Sequence, residues 1–275
     1  MIDTTKVSPT AFLSKGNWTS EQLKLAFNLY CQTPFGKLHS KNPQIIQLAE
    51  LIGRTPGALA MKLVNFASLD PSVTSTGRKG LSGASMLDRE IWDEFHADWE
   101  RLAIECAQLQ QYLLHEHGLK PEVHIDSDST DDFALADYTG ETRQAIVQQR
   151  IKQNFFRHAV LASYRGRCCV SGVSDSRLLV ASHIVPWSAD KANRLNPSNG
   201  LCLSAIHDKA FDKHLFSLTD DNRIVLSDQL KTSKDVFLQK VFWPIEDRAI
   251  ELPERFRPEL AFTRNHRETM LRSQT

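Results

Sequence analysis

The stretch N-G-L-C-L-S-A-I-H-D-K-A-F-D, residues 199–212, decides how the chain is read. It starts with the turn dipeptide Asn199-Gly200, runs through the apolar Leu201, Leu203 and Ile206, and opens into His207, Asp208, Lys209, Phe211 and Asp212. Such a run predicts a buried strand entering a helix, with chemistry at the junction. On that helix Asp208 and Asp212 stand at i and i+4 and share a face. His207 and Phe211 form a second such pair, turned by about 100°. If Phe211 packs inward, as an aromatic there should, the two carboxylates present together toward a cleft.

Upstream, A-S-H-I-V-P-W-S (181–188) puts His183 at the end of an apolar strand. Further β-like pieces are C-V-S-G-V (169–173), L-L-V-A-S-H-I (178–184), L-F-S-L (215–218) and R-I-V-L-S (223–227). The first two bracket a turn at S-D-S-R (174–177). The order is strand, loop, strand, helix, with polar groups at each junction.

The N-terminal half is helical. W-T-S-E-Q-L-K-L-A-F-N-L-Y (18–30) has an N-cap in Thr19 or Ser20, then Leu23, Phe27 and Tyr30 at helical spacing. I-I-Q-L-A-E-L-I-G-R-T-P-G-A-L-A-M-K-L-V-N-F (45–66) reads as two helices, the first ending at Gly53 and the second capped by Thr55 with Pro56 at its first position. Leu48, Leu51, Leu59 and Leu63 would face one another across the turn. This unit resembles a helix-turn-helix, which would set Arg54, Lys62 and Asn65 on or beside an exposed, DNA-reading face. A further helical pattern from about Leu87 to His117 carries the apolar stripe Trp92, Phe95, Trp99, Leu102 and Leu109. R-K-G-L-S-G-A-S (78–85) reads as a loop and residues 1–16 as a frayed leader. His39, His96, His115, His117, His124 and His158 read as surface or packing residues.

These elements give an α+β chain: a helical domain over 1–118 for DNA recognition or oligomerisation, an acidic linker over 119–140, and a second domain over 141–275 with its core at 164–227. Apolar content of 41% and charged content of 24% fit a globular protein. No run of 18 apolar residues and no signal pattern occur, so the expected location is the cytoplasm, without a membrane partner. The five cysteines hold no C-x-x-C pair, which argues against a disulfide framework and against a structural zinc. Formal net charge is zero, yet residues 1–140 carry 12 Lys and Arg against 18 Asp and Glu, and residues 141–275 carry 21 against 15. The C-terminal half is the better partner for a polyanion.

Residues 164–227 resemble the HNH nuclease family, whose ββα-metal fold grips one divalent cation between a β-hairpin and a helix. The resemblance rests on Cys169, S-H-I-V-P-W-S (182–188), N-G-L-C-L (199–203) and H-D-K-A-F-D (207–212) followed by an apolar strand. The helical entry (141–163) and the L-P-E-R…H-R-E-T tail with His266 are similar to the flanks of bacterial members. The resemblance implies a metal-dependent endonuclease acting on double-stranded DNA, of the restriction or phage-defence kind, using one Mg²⁺ or Mn²⁺. It implies His183 as general base, an imidazole suited to taking a proton near neutral pH. Asn199 becomes the tether of the connecting loop and His207 a metal ligand. In the common form of the motif, however, the histidine lies four residues before the FD Asp, where this chain has Asp208. Two ligand sets therefore stand open, His207 with Asp212 or Asp208 with Asp212; a carboxylate suits a hard cation.

Two departures matter. Ser182 occupies the place of a first-strand ligand, and His214 a place where the family often has glycine; His214 reads as an exposed turn residue. Lys191, Arg194, Lys209 and Lys213 surround the motifs, where a nucleic-acid backbone would pass. Two other readings remain: a DNA-binding protein with a silent nuclease fold, or a defence effector gated by an activator, its basic cleft masked by the acidic linker. Cutting both strands of a duplex suggests a homodimer.

Overall fold

Thr19 starts the first helix, α1 (Ser20–Gln32). Its hydroxyl accepts from the Gln22 amide at 3.3 Å, and the Gln22 side chain accepts in return from the Thr19 amide. This capping box satisfies two amides that the helix leaves unpaired. The structure, a computed structural model, describes residues 16–75, 77, 83–119 and 140–273. The expected leader, most of the loop at 78–85 and nearly all of the acidic linker lie outside the described residues.

The contacts divide the chain into two units, Met1–Phe155 and Phe156–Thr275. In the first, α1 is followed by α2 (Pro43–Leu51), α3 (Pro56–Ala67), the single turn α4 (Pro71–Thr74), α5 (Met86–Ala97) and α6 (Trp99–Glu116). Phe27 is the hub of its core, with ring centroids 4.9 Å from Phe66 and 4.6 Å from Phe95. Between α2 and α3 the chain reverses at Gly53, φ +66°, a conformation glycine takes without Cβ strain. Thr55 then caps α3 with Pro56 in its first turn. The helical pattern over 87–117 is two helices, not one. Asp98 leaves helical geometry at φ −154° and ψ 82°, and its carboxylate caps α6 by accepting from the Arg101 amide at 2.9 Å.

The residues expected on a DNA-reading face of α3 are held within this unit. Lys62 is buried, with Nζ 3.0 Å from each carboxylate oxygen of the fully buried Asp88. Asp88 also accepts from the Ser85 amide at 2.8 Å, which ties the start of α5 to the same buried pair. Arg54 donates to the carbonyls of Gly16 at 2.8 Å and Asn17 at 2.7 Å, with its guanidinium over the Trp18 ring. Asn65 donates to the Gly83 carbonyl at 3.3 Å. All three side chains are engaged within the helical unit, Lys62 buried and Arg54 and Asn65 half-buried, rather than standing on an exposed face.

In the second unit the latter part of α7 (Gly140–Ser163) leads to a tight turn at 168–173, not the strand expected there. The Cys168 amide donates to Val173 O and the Gly172 amide to Cys168 O, both at 2.8 Å, with Gly172 at φ +75°. The strand β1 (Leu179–His183) pairs with β2 (Gly200–Ser204), antiparallel, with Ser182 opposite Leu201 and His183 opposite Gly200. Directly after β2, α8 (Ala205–Asp212) packs across both strands. A second antiparallel pair follows, β3 (Phe216–Leu218) with β4 (Ile224–Leu226), then α9 (Asp228–Lys231), α10 (Val236–Phe242) and α11 (Leu260–Arg272). Leu201, Leu203, Phe211, Phe216 and Phe242 form the core, whereas Ile206, expected to be buried, is 38% exposed on the outside of α8. A Cβ at Gly200 would stand 2.4 Å from Val160 and 3.0 Å from Phe156, so only glycine lets α7 lie this close to β2.

Removing the cation from the Lys62–Asp88 pair leaves a buried carboxylate uncompensated. Lys62→Met is expected to destabilise the helical unit by about 3 kcal/mol in urea unfolding. A lysine used for DNA would instead change affinity and leave stability unmoved.

Candidate active site

His183 ends β1 in an aromatic setting. Its ring stacks on Phe156, centroids 3.8 Å apart at 9°, and meets the edge of Trp187 at 5.5 Å. Nε2 lies 2.9 Å from the Arg194 carbonyl. A carbonyl only accepts, so Nε2 carries the proton and Nδ1 keeps a lone pair. Burial pushes the imidazole's pKa below its ordinary value, and the Arg194 carbonyl and the Asp212 carboxylate pull it part of the way back. The ring is therefore neutral at pH 7, with Nδ1 able to take a proton.

The loop from Ile184 to Ser198 is held by Asn199, which is fully buried. Its Oδ1 accepts from the Val185 amide at 2.8 Å, and Nδ2 donates to Val185 O at 3.1 Å and Asn193 O at 3.3 Å. The Ile184 amide donates to the Asn199 carbonyl at 2.9 Å. One amide side chain thereby fixes both the start of the loop and its later part, just before Arg194.

On α8, Phe211 is 1% exposed and its ring stacks on His266, centroids 3.7 Å apart at 2°. That choice sets the helix rotation. Asp208 is half-buried and Asp212 exposed. Burial raises the Asp208 pKa; the Ser182 hydroxyl opposes this, the Asp212 charge adds to it, and Lys209 opposes it. Ser182 Oγ is buried without a well-formed hydrogen bond, close enough to favour the Asp208 carboxylate. The structure thus brings Ser182, His183, Asp208 and Asp212 into one electrostatic group.

It does not bring His207 there. His207 is buried, with Nδ1 2.7 Å from Ser204 Oγ and its ring edge-on to Phe242 at 5.6 Å and Phe216 at 6.4 Å. It also hydrogen-bonds the Cys168 thiol. Burial alone would raise that thiol's pKa; the bonds from His207 and Ser171 outweigh burial and bring it to about 6. The one-residue offset between His207 and Asp208 is enough to turn one side chain into the core and the other outward.

Among the described residues no group of three or more His, Cys, Asp or Glu side chains could hold a metal ion. The donors at the cleft are the two carboxylates. They fit a hard cation such as Mg²⁺, which keeps several waters and is often held by only one or two carboxylates. Of the basic residues expected near the backbone path, Lys191, Lys209 and Lys213 are exposed. Arg194 is half-buried with its guanidinium over Trp187 at 5.2 Å.

His214, expected as an exposed turn residue, is half-buried in the left-handed region at φ +53°. Its Nδ1 is 3.0 Å from His266 Nε2, which also lies 3.1 Å from the Phe211 carbonyl; His266 Nδ1 is 2.8 Å from Ser217 Oγ. Phe156, Trp187 and Ser182 are the site residues sequence reasoning undervalued. Only Trp187 and Ser182 stood within a quoted motif, and nothing in a Phe-Phe pair on a Gln-rich helix signals ring stacking on a histidine.

Residues 168–219 match the family model described as HNH endonuclease, which places this segment in the HNH endonuclease family. The match spans the turn at 168–173, both strands of the hairpin, α8 and β3. The match supports a nuclease, a hydrolase with a nucleic-acid substrate, and HNH nucleases generally use divalent metals. No curated protein matches the chain. No helix among the described residues is long and apolar enough to cross a membrane.

Burial, then the nearby His214, pushes the His266 pKa down to about 3, with the Phe211 carbonyl offsetting part. The unfolded chain binds that proton at a higher pH, near 6.5. The His266 contribution to stability is therefore complete above about pH 6.5 and lost as pH falls toward 3. His266→Gln is expected to lower the melting temperature by several degrees at pH 8, and the gap to wild type should narrow steadily below pH 6.5. A gap independent of pH would contradict this assignment.

Proposed function

We propose that the C-terminal unit is a metal-dependent HNH endonuclease that hydrolyses DNA phosphodiester bonds and leaves 5′-phosphate ends. The observation that carries this reading is a neutral, carbonyl-held His183 beside an i, i+4 pair of carboxylates on α8. His183 Nδ1 accepts the proton of the attacking water, and the Arg194 carbonyl keeps the ring in the tautomer that can do so. Asp208 and Asp212 would hold one Mg²⁺ or Mn²⁺. When bound, such a cation neutralises charge on the phosphate and on the leaving 3′ oxygen. Asn199 fixes the loop that carries Arg194. Lys191, Lys209 and Lys213 contact phosphates on either side of the cut.

The resemblance to bacterial restriction and phage-defence nucleases supports a defence role in the cytoplasm, with a homodimer cutting both strands. A second reading is supported by Ser182, which supplies no strong first-strand ligand: the fold binds DNA without cutting it.

Cleavage of plasmid DNA under Mg²⁺ or Mn²⁺ separates them. The nuclease reading expects nicking or cutting by the wild type and a loss of at least about 100-fold in His183→Ala. Asp208→Asn should raise the metal concentration for half-maximal rate about tenfold or more. His207→Gln should lower the melting temperature and leave that metal requirement unchanged. Binding with uncut DNA under every divalent metal favours the silent fold, and equal cutting by wild type and His183→Ala removes His183 as the base.

A further inference from the structure

The loop that carries Trp187 and Arg194 has a second face. Where it leaves β1, residues 184–190 lie opposite α11 and enclose a cleft of about 550 Å³. Its floor is apolar, from Ile184, Val185 and Phe262, all buried; Asn265 and His214 supply polar edges, and Asp190 stands at the rim. A volume of this size accommodates one nucleoside.

The polar groups narrow what can bind. Among the described residues, no lysine or arginine lines the cleft. An acid without a basic partner rejects a phosphate and tolerates an uncharged ring. The Asp190 carboxylate is already engaged: Oδ1 accepts from the amides of Ala192 and Asn193, and Oδ2 from the Asn193 side chain. It shapes the rim and leaves edge recognition to the other two groups. Asn265, exposed on α11, has a side-chain amide with no hydrogen bond among the described residues, so both a donor and an acceptor remain.

His214 is set by a chain of hydrogen bonds. The Phe211 carbonyl can only accept, so His266 Nε2 carries a proton, and His266 Nδ1 accepts from the Ser217 hydroxyl. His214 Nδ1, 3.0 Å from the same Nε2–H, is then an acceptor. The His214 proton sits on Nε2, where it has no partner among the described residues and remains a donor at the cleft. A non-glycine residue at φ +53° carries strain that surrounding contacts must hold. Here the His266 contact holds it, at the position between Asp212 and the cleft.

We propose that this cleft takes one unstacked nucleobase of the substrate. The base lies flat on Ile184, Val185 and Phe262, and its edge meets the His214 Nε2–H and the Asn265 amide. One loop serves both places: Trp187 meets His183 edge-on, and Pro186 and Ala189, on either side of it in the chain, line the cleft. Seating a base there draws the adjacent phosphodiester toward His183. The cost of unstacking is least for a mismatched or unpaired base, so the nuclease prefers nucleic acid carrying such a base over a perfect duplex. This proposal rests on the nuclease reading above for its cleavage consequence only; occupancy of the cleft stands apart from it.

The test uses the full chain and two oligonucleotide duplexes, one fully paired and one with a single unpaired 2-aminopurine. In Ca²⁺, fluorescence of the 2-aminopurine reports its transfer from the stack into a protein cleft. In Mg²⁺ or Mn²⁺, the ratio of cleavage rates on the two duplexes is measured. Wild type should change the fluorescence on binding and cut the duplex with the unpaired base at least about tenfold faster, the size of one base-edge contact. Asn265→Trp, which fills the cleft from the exposed side of α11, should abolish the fluorescence change and bring the ratio toward one. His214→Gly, which relieves the strained backbone and removes the donor, should lower the ratio without loss of melting temperature. A wild-type ratio near one, or a ratio and fluorescence change that survive Asn265→Trp, overturns the proposal. If wild type cuts neither duplex, the nuclease reading fails, and the fluorescence arm still decides the cleft: a change lost in Asn265→Trp supports it, and no change in wild type overturns it.

Discussion

The amide side chain of Asn199 is the constraint on which the C-terminal unit's chemistry depends. It is fully buried at the end of a long loop and bonds the backbone at Val185 and Asn193. An Asn side chain has one acceptor and one doubly donating nitrogen, so it alone can pin a backbone N–H and two carbonyls at once. Left unmade, those buried groups would cost on the order of 1–3 kcal/mol each. With them made, the loop cannot drift. The Arg194 carbonyl then lies at a fixed distance from His183, and Trp187 stays against the imidazole. The proton position on His183 is thus decided by a residue sixteen positions further along the chain.

The helix α8 depends on a different choice, made by Phe211. Once that ring is packed between the hairpin and His266, successive side chains on the helix are assigned by rotation alone. His207 shares the inward face and finds Ser204 and Cys168; Asp208 and Asp212 take the face turned toward Ser182 and His183. Gly200 completes the arrangement, because any larger residue would push Phe156 away from the histidine it stacks on.

Much of this was legible in the sequence. The strand, loop, strand, helix order and the pairing of Asp208 with Asp212 follow from the apolar pattern and the helical period, whereas the tethering Asn before Gly200 was implied by the resemblance to the HNH family. What failed did so for identifiable reasons. C-V-S-G-V looked like a strand because Cys and Val favour one, but Gly172 at positive φ closes it into a turn. The helix over 87–117 looked continuous because the apolar stripe runs through; the capping carboxylate of Asp98 breaks it locally. Lys62 looked exposed because lysine mostly is; its partner Asp88, 26 residues away, is visible only in three dimensions. His214 and His266 lie 52 residues apart and meet for the same kind of reason.

The central claim is that Asp208, rather than its neighbour His207, shares a metal with Asp212 opposite His183. Anomalous scattering from crystals soaked in Mn²⁺ tests it directly. The account predicts a peak bridging the Asp208 and Asp212 carboxylates, with His207 still bonded to Ser204. A peak on the His207 ring, with Asp208 turned aside, would contradict it.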